Sequence, residues 1–566
     1  MRSTSLPRSK VVVVFEAIVF AMLFIVVALP AYKLVENSLT YKGHLSLQNF
    51  VWIFSHSDNL LALAHSLVVV TVSTTFATII GVLLAWLIAR SDVHLKGLFR
   101  SAIIIPYLIP PFIGSIAWVY LAGPVGLLNN LLMGLFNASD PIIKLYGSWG
   151  VIFVMTLYGY PIPYMVTVGP FSRMNPELEE AGRMSSAGTW RLLKDITIPI
   201  MLPSVMGGYL LLYLSLLANF GIPAIIGFPG KYYVLTTIIY RTILNYNMAS
   251  NLQAAAAQSM LLVLIAVLIL LLQRALIRAD RQSSYAVITG KTGQAGVIGL
   301  GRWRTPVTLF LGLFLFVAAI LPIIGILQVA VTKVYGLPFK PSNMSLANFA
   351  QVFQIDVIGR AVVNSVFLAV VTAAVVVLLS SVMSYMIVKL RVRGSRLMEM
   401  VSSIPYAIPG TIVALAMILL WIKPIPGSAF SLYNTIWIIL IAYIGRFLIL
   451  GVRTISSSIY QIDSSLEEAA RMSGAGQVRT FRDVVWPLSR ASVFATIFLV
   501  ITPSLTELTL SALLWSVGNE TIGVMVFSLH EEGKVLTTAA FSILVLLAVF
   551  LANFATRRLS GGRVEF

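Results

Sequence analysis

The chain has 566 residues, of which 58% are hydrophobic and only 11% charged, with a formal net charge of +18. A soluble domain carries roughly 25% charged residues, so most of this chain's surface must face lipid rather than water. The positive charge then reads as loop lysine and arginine on one membrane face rather than a nucleic-acid surface, and the absence of cysteine removes disulfides, thiolate metal sites and thiol catalysis.

In chain order, Arg2, Arg8 and Lys10 precede an apolar run from Val11 to Leu29. The run is longer than a signal-peptide core and has no small-residue cleavage site after it, so it is expected to be the first span. Scanning for apolar stretches of about 20 residues predicts spans at 11–33, 62–89, 101–122, 148–170, 201–222 and 251–273. Six more follow at 306–332, 361–388, 399–421, 434–453, 490–511 and 537–556. The expected fold is all-α and polytopic: a first six-span half over 1–275, a linker over 276–305, and a second half over 306–566.

Twelve spans put both ends on one face. That face gathers Arg90, Lys96, Arg100, Lys389, Arg391, Arg393, Arg396, the linker arginines and Arg557, Arg558 and Arg563. The positive-inside rule makes it cytoplasmic. The linker contains Thr289-Gly290-Lys291-Thr292, but Tyr285 stands where a phosphate loop needs its first glycine.

The halves repeat one another as parallel units, a layout that puts a passage between them. Ser46-Leu47-Gln48-Asn49-Phe50 recurs as Ser345-Leu346-Ala347-Asn348-Phe349, and His65-Ser66 as Asn364-Ser365. Ile105-Pro106-Tyr107-Leu108-Ile109-Pro110 recurs as Ile404-Pro405-Tyr406-Ala407-Ile408-Pro409, with prolines that free carbonyls and allow bends in spans 3 and 9. The strongest match lies in the loops before spans 5 and 11. Glu179 to Gly188 matches Glu467 to Gly476 at eight of ten positions. Loops that only connect drift fastest, so this retention suggests a shared kind of partner.

Each loop reads as a helix, a turn and a second short helix. Asn175 with Pro176 can start the first copy; Asp463 or Ser464, in a capping box with Glu467, can start the second. The glutamates suit a helix N-terminus, and Gly188 and Gly476 allow a turn. Trp190, Leu193 and Ile196, matched by Val478, Phe481 and Val484, form an apolar stripe. Either the chain's own span ends or a partner's groove must cover it.

This pattern resembles the EAA loop of ABC importer permeases, carried here by Glu468-Ala469-Ala470, Gly474, Val484 and Pro487. The first copy keeps Glu180, Ala181, Gly188 and Pro199 but has Gly182 and Ser186 where the family has alanine and glycine. The resemblance covers nearly the whole chain. It implies a non-catalytic permease of a bacterial or archaeal inner membrane that binds no cofactor itself. Its expected partners are two copies of a cytoplasmic ATP-binding subunit, which take ATP and magnesium, and an external solute-binding protein. The docking residues it implies are Glu179, Glu180, Ala181, Arg183, Gly188, Trp190, Leu193, Glu467, Glu468, Ala469, Ala470, Arg471, Gly474 and Phe481. The fused form and Ser504-Leu505-Thr506-Glu507-Leu508-Thr509-Leu510-Ser511 resemble ferric-iron-type permeases, with thiamine, phosphonate and polyamine permeases nearby.

Charge inside spans marks function by default. Glu16 can snorkel to the span end. Arg446 needs a carboxylate or carbonyl partner, and Glu507, among Ser504, Thr506 and Thr509, serves either an interhelical contact or the passage. The five histidines show no metal-ligand spacing. Two other classes remain open: an ion-coupled carrier, for which Glu507 is the one attractive deep acid, and a membrane enzyme, for which no catalytic constellation is visible.

Overall fold

The computed structural model describes residues 10–174, 180–182, 184–186, 188–282, 297–337, 340–424 and 430–559. Glu179, Arg183, Asn175, Pro176, linker residues 283–296 and the side chains of Trp190 and Leu193 lie outside the described residues.

Among the described residues, eleven helices are long and apolar enough to cross a membrane, and a bent pair makes a twelfth. The first half holds Val12–Ser38, Ser57–Arg90, Pro111–Phe136, Ser148–Ser172, Lys194–Leu217 and Asn251–Gln273. The second holds Gly301–Ala330, Asp356–Leu390, the pair Ser395–Ala407 and Gly410–Trp421, then Ile436–Tyr460, Gln477–Leu505 and Val535–Phe554. These are spans 1 to 12 in order. The protein is a polytopic all-α membrane protein.

The repeated prolines break spans 3 and 9. Span 9 bends by 107° between Ala407 and Gly410. Span 3 is preceded by short pieces, Lys96–Ala102 and Ile105–Leu108, before Pro111 restarts it. Proline has no amide to donate and disfavours helix in the residue before it, so a Pro-rich segment ends one helix and starts another.

The second short helix expected in each loop is not separate. Thr189–Leu192 and Gln477–Thr480 run through π turns, Leu193–Thr197 and Phe481–Val485, directly into spans 5 and 11. Pro199 and Pro487 follow each π turn. The widened turn accommodates a ring that would clash with the carbonyl of an ordinary α-turn.

The halves exchange their first spans. Span 1 packs on spans 9 and 10, and span 7 packs on spans 3 and 4. Gly445 in span 10 leaves the room that Val26 of span 1 fills, since a Cβ there would stand 2.7 Å from Val26 Cγ1. Gly325 of span 7 does the same for Leu121 of span 3. The other repeated motifs fasten the far end of each half. Asn49 donates to the carbonyls of Ser38 and Thr40, and Asn348 to those of Ala330 and Thr332, satisfying the open ends of spans 1 and 7.

Candidate functional site

Two short helices missed by a 20-residue scan, Leu235–Ile243 and Ile522–Glu531, lie between spans 5 and 6 and between spans 11 and 12. Each starts against the repeated serine of its half. Leu235 N donates to Ser66 Oγ (2.7 Å) and Ile522 N to Ser365 Oγ (2.8 Å). His65 Nδ1 lies 3.0 Å from the Tyr233 carbonyl, and Asn364 donates to the carbonyls of Gly518 and Glu520. The repeated dipeptide thus sets the same helix start twice.

Five residues into these helices stand Tyr240 and Phe527. Their ring centroids are 6.4 Å apart, edge to face, and Phe220 closes on both at 4.9 and 5.9 Å. Equivalent residues that touch across the halves must lie beside the axis relating them. An aromatic plug therefore closes that axis at the end away from the basic loops. At the level of the span breaks, the equivalent Tyr107 and Tyr406 lie within electrostatic range of one another and of Tyr158, on which Tyr107 stacks at 6.1 Å. Tyr107 and Tyr406 are 39% and 47% exposed.

Glu507 is buried, and its carboxylate accepts from Leu510 N (2.9 Å), Ser511 N (3.1 Å) and the Thr509 hydroxyl. It caps the short turn Ser511–Leu514 that follows span 11. The first half does this with Asn219, whose Oδ1 accepts from Ile222 N at 3.0 Å. Arg446 donates to the carbonyls of Pro405 and Ile408 at the span 9 break. Thr509 and Arg446 meet over Gly410, where a Cβ would strike Thr509 and come 3.4 Å from Arg446 Nη1. Ser504 is buried, and Thr506 donates to the Thr502 carbonyl at 3.4 Å. Among the described residues, no group of three or more His, Asp or Glu is placed to hold a metal ion.

In the second loop, Asp463 caps helix Ser464–Met472 by accepting Ser465 N at 2.9 Å, which holds its carboxyl below the usual range. The expected capping box with Glu467 does not form. Glu467 turns inward, only 4% exposed, and pairs with Lys389 at the end of span 8 (2.9 Å) and with Arg471 (3.6 Å). The apolar stripe is partly covered by the chain itself: Phe481 packs on Tyr385 at 5.1 Å and Val484 is half-buried, while Val478 stays 53% exposed. The exposed face carries Leu466, Glu468, Ala469 and Met472 (89% exposed), with Ala470 half-buried.

The turn residue is Gly474 (φ +80°), not Gly476, which is extended. In the first loop Ser186 takes the same left-handed position at φ +60°. Gly182 has a reason as well: a Cβ there would collide with Leu192 and crowd Ile196. Glu180, Ala181 and Gly188 are exposed.

Residues 77–281 and 377–562 each match the family described as binding-protein-dependent transport system inner membrane component. The chain belongs to that family. It is 24% identical to the ferric transport system permease protein FbpB of Actinobacillus pleuropneumoniae over 79% of this chain and 64% of that one. It is 24% identical to the Fe(3+)-transport system permease protein FbpB 2 of Haemophilus influenzae, covering 86% and 87% of the two chains. A probable ABC transporter permease protein, y4fN, of Sinorhizobium fredii is 24% identical over 93% and 91%. As a member of this family, the chain is an inner membrane component of a binding-protein-dependent transport system.

Proposed function

We propose that this chain is the fused permease of an ATP-driven importer for ferric iron. Its basic ends and both termini face the cytoplasm, two copies of an ATP-binding subunit dock on its paired loops, and an external binding protein delivers the ion. The relatives named as ferric permeases support the cargo. The docking helix Ser464–Met472 carries the reading: it is capped, fastened from behind through Glu467, and leaves Leu466, Glu468, Ala469 and Met472 uncovered. ATP-driven approach of the two loops would be passed along spans 5 and 11, which continue from them without a break, to the aromatic plug. An ion-coupled carrier would need a free deep acid, and Glu507 is already engaged by backbone amides.

The test is Glu180→Lys with Glu468→Lys in proteoliposomes holding the ATPase and binding protein. The double variant is expected to fold and lose ATP-driven ferric uptake. Uptake at the wild-type rate would overturn the docking role, and uptake that survives ATP depletion but collapses with a proton or sodium uncoupler would favour the carrier.

A further inference from the structure

Of the two adjacent glutamates in the second loop, one faces out and the other is buried against a different span. Lys389, the buried one's partner, sits in a π turn, Met386–Leu390, that ends span 8. Its ammonium meets Glu467 Oε1 at 2.9 Å and the Ile462 carbonyl at 2.7 Å, and its side chain is 12% exposed. Arg471 supports Glu467 from one turn on, and Tyr385, one turn before Lys389, packs on Phe481. In the chain, span 8 and the docking helix are separated by spans 9 and 10 and more than seventy residues. A buried ion pair whose lysine is also held by a backbone carbonyl favours one geometry, because neither charge can swing into water without losing its partner.

We propose that the Lys389–Glu467 pair is a coupling link: it transmits displacement of the second docking helix to span 8, and Glu467 is a positioning residue rather than a contact for the ATPase. This rests on the proposed function. Any movement imposed on Ser464–Met472 carries Glu467 with it, and the π turn around Lys389 must follow or the pair must break. The second half then has two routes from its loop into the membrane: span 11 by direct continuation, and span 8 through the pair.

The experiment measures ferric ions imported per ATP hydrolysed in proteoliposomes of the full complex, together with the amount of ATPase subunit retained. Glu467→Gln and Lys389→Met are expected to lower that ratio at least tenfold while the ATPase stays bound and active. Lys389→Arg keeps charge and reach and should restore coupling. The double variant Glu467→Leu with Lys389→Met leaves neither buried charge of the pair behind, and Arg471, 36% exposed, can turn to water, so it should fold and still be uncoupled, which separates the link from stability. A wild-type ratio in the double variant overturns the proposal, as does loss of the ATPase from the single variants, which would make Glu467 a docking contact. Failure of the wild type to show ATP-driven uptake would defeat the functional reading instead. The link is then judged by hydrogen exchange at residues 386–391 of the isolated permease. A rise in Glu467→Gln supports the tether, and unchanged exchange overturns it.

Discussion

Tyr240 and Phe527 hold equivalent places in the two halves and meet edge to face, their ring planes at 90° and centroids 6.4 Å apart. With Phe220 they close the axis between the halves with apolar surface, an arrangement that excludes water and ions. As the outer gate, this contact must part for transport, so tying the two outer helices together at these positions should stop it. The chain has no cysteine, so Tyr240→Cys with Phe527→Cys introduces the sole thiols. Bridging them with a short, cleavable bifunctional thiol reagent is expected to reduce uptake to the level of protein-free vesicles, and cleavage should restore it. Undiminished uptake in the bridged protein would remove these residues from the gate.

The cap formed by Glu507 makes a second expectation. Its counterpart Asn219 does the same with a neutral amide oxygen, so the negative charge is not needed for the geometry. Glu507→Gln should retain most of the uptake and melt close to the wild type. Glu507→Leu strands the amides of Leu510 and Ser511 in a buried site, at a cost of about 1–3 kcal/mol, and should melt measurably lower. A Gln variant as inactive as the Leu variant would show that the charge itself serves transport.

The spans and the repeat were legible because each rests on a long pattern: some twenty apolar residues, or ten aligned positions at Glu467 to Gly476. The outer helices Leu235–Ile243 and Ile522–Glu531 escaped because they are half a membrane long, and such segments read equally as buried core. Yet His65-Ser66 and Asn364-Ser365 had marked their starting points as a repeat without an evident reason. Which of Glu467 and Glu468 faces inward could not be read at all, since it depends on the helix's rotation against Lys389, 78 residues earlier. Gly476 was the natural choice for the turn as the glycine shared by both loops. The actual turn position is one where only the second copy has glycine.

That difference can be measured. A non-glycine residue in the left-handed region is strained by about 1–2 kcal/mol, partly offset by the greater entropy glycine loses on folding. Ser186, at φ +60°, bears this strain and Gly474, at φ +80°, does not. Ser186→Gly should therefore stabilise the first loop by about 0.5–1 kcal/mol, slowing exchange of the Ser185 amide, which bonds to the Ala181 carbonyl. Gly474→Ser should speed exchange of the Ser473 amide, bonded to Ala469, by a similar factor. Equal exchange in both variants and the wild type would mean that the loops do not hold these turns in solution.

His530 lies one turn beyond Phe527 in the outer helix and gives the plug a pH dependence. Its Nδ1 is buried without a hydrogen-bond partner, and burial lowers its pKa from 6.5 to about 4. At pH 7 and above the imidazole is mostly neutral whether the protein is folded or not, and it contributes little pH dependence. As the pH falls from about 6.5 toward 4, the unfolded chain takes up a proton that the folded one refuses, so stability declines through that window and levels off below it. Melting at pH 7 and pH 5 in detergent should show a larger fall for the wild type than for His530→Leu, which has nothing to protonate. The outer helix depends on Ile522 N bonding to Ser365 and on Phe527 packing against Phe220, so mild acid should loosen the plug before the spans themselves melt. Hydrogen exchange within 522–531 that rises at pH 5 in the wild type but not in His530→Leu would establish this, and identical pH responses in the two proteins would exclude it.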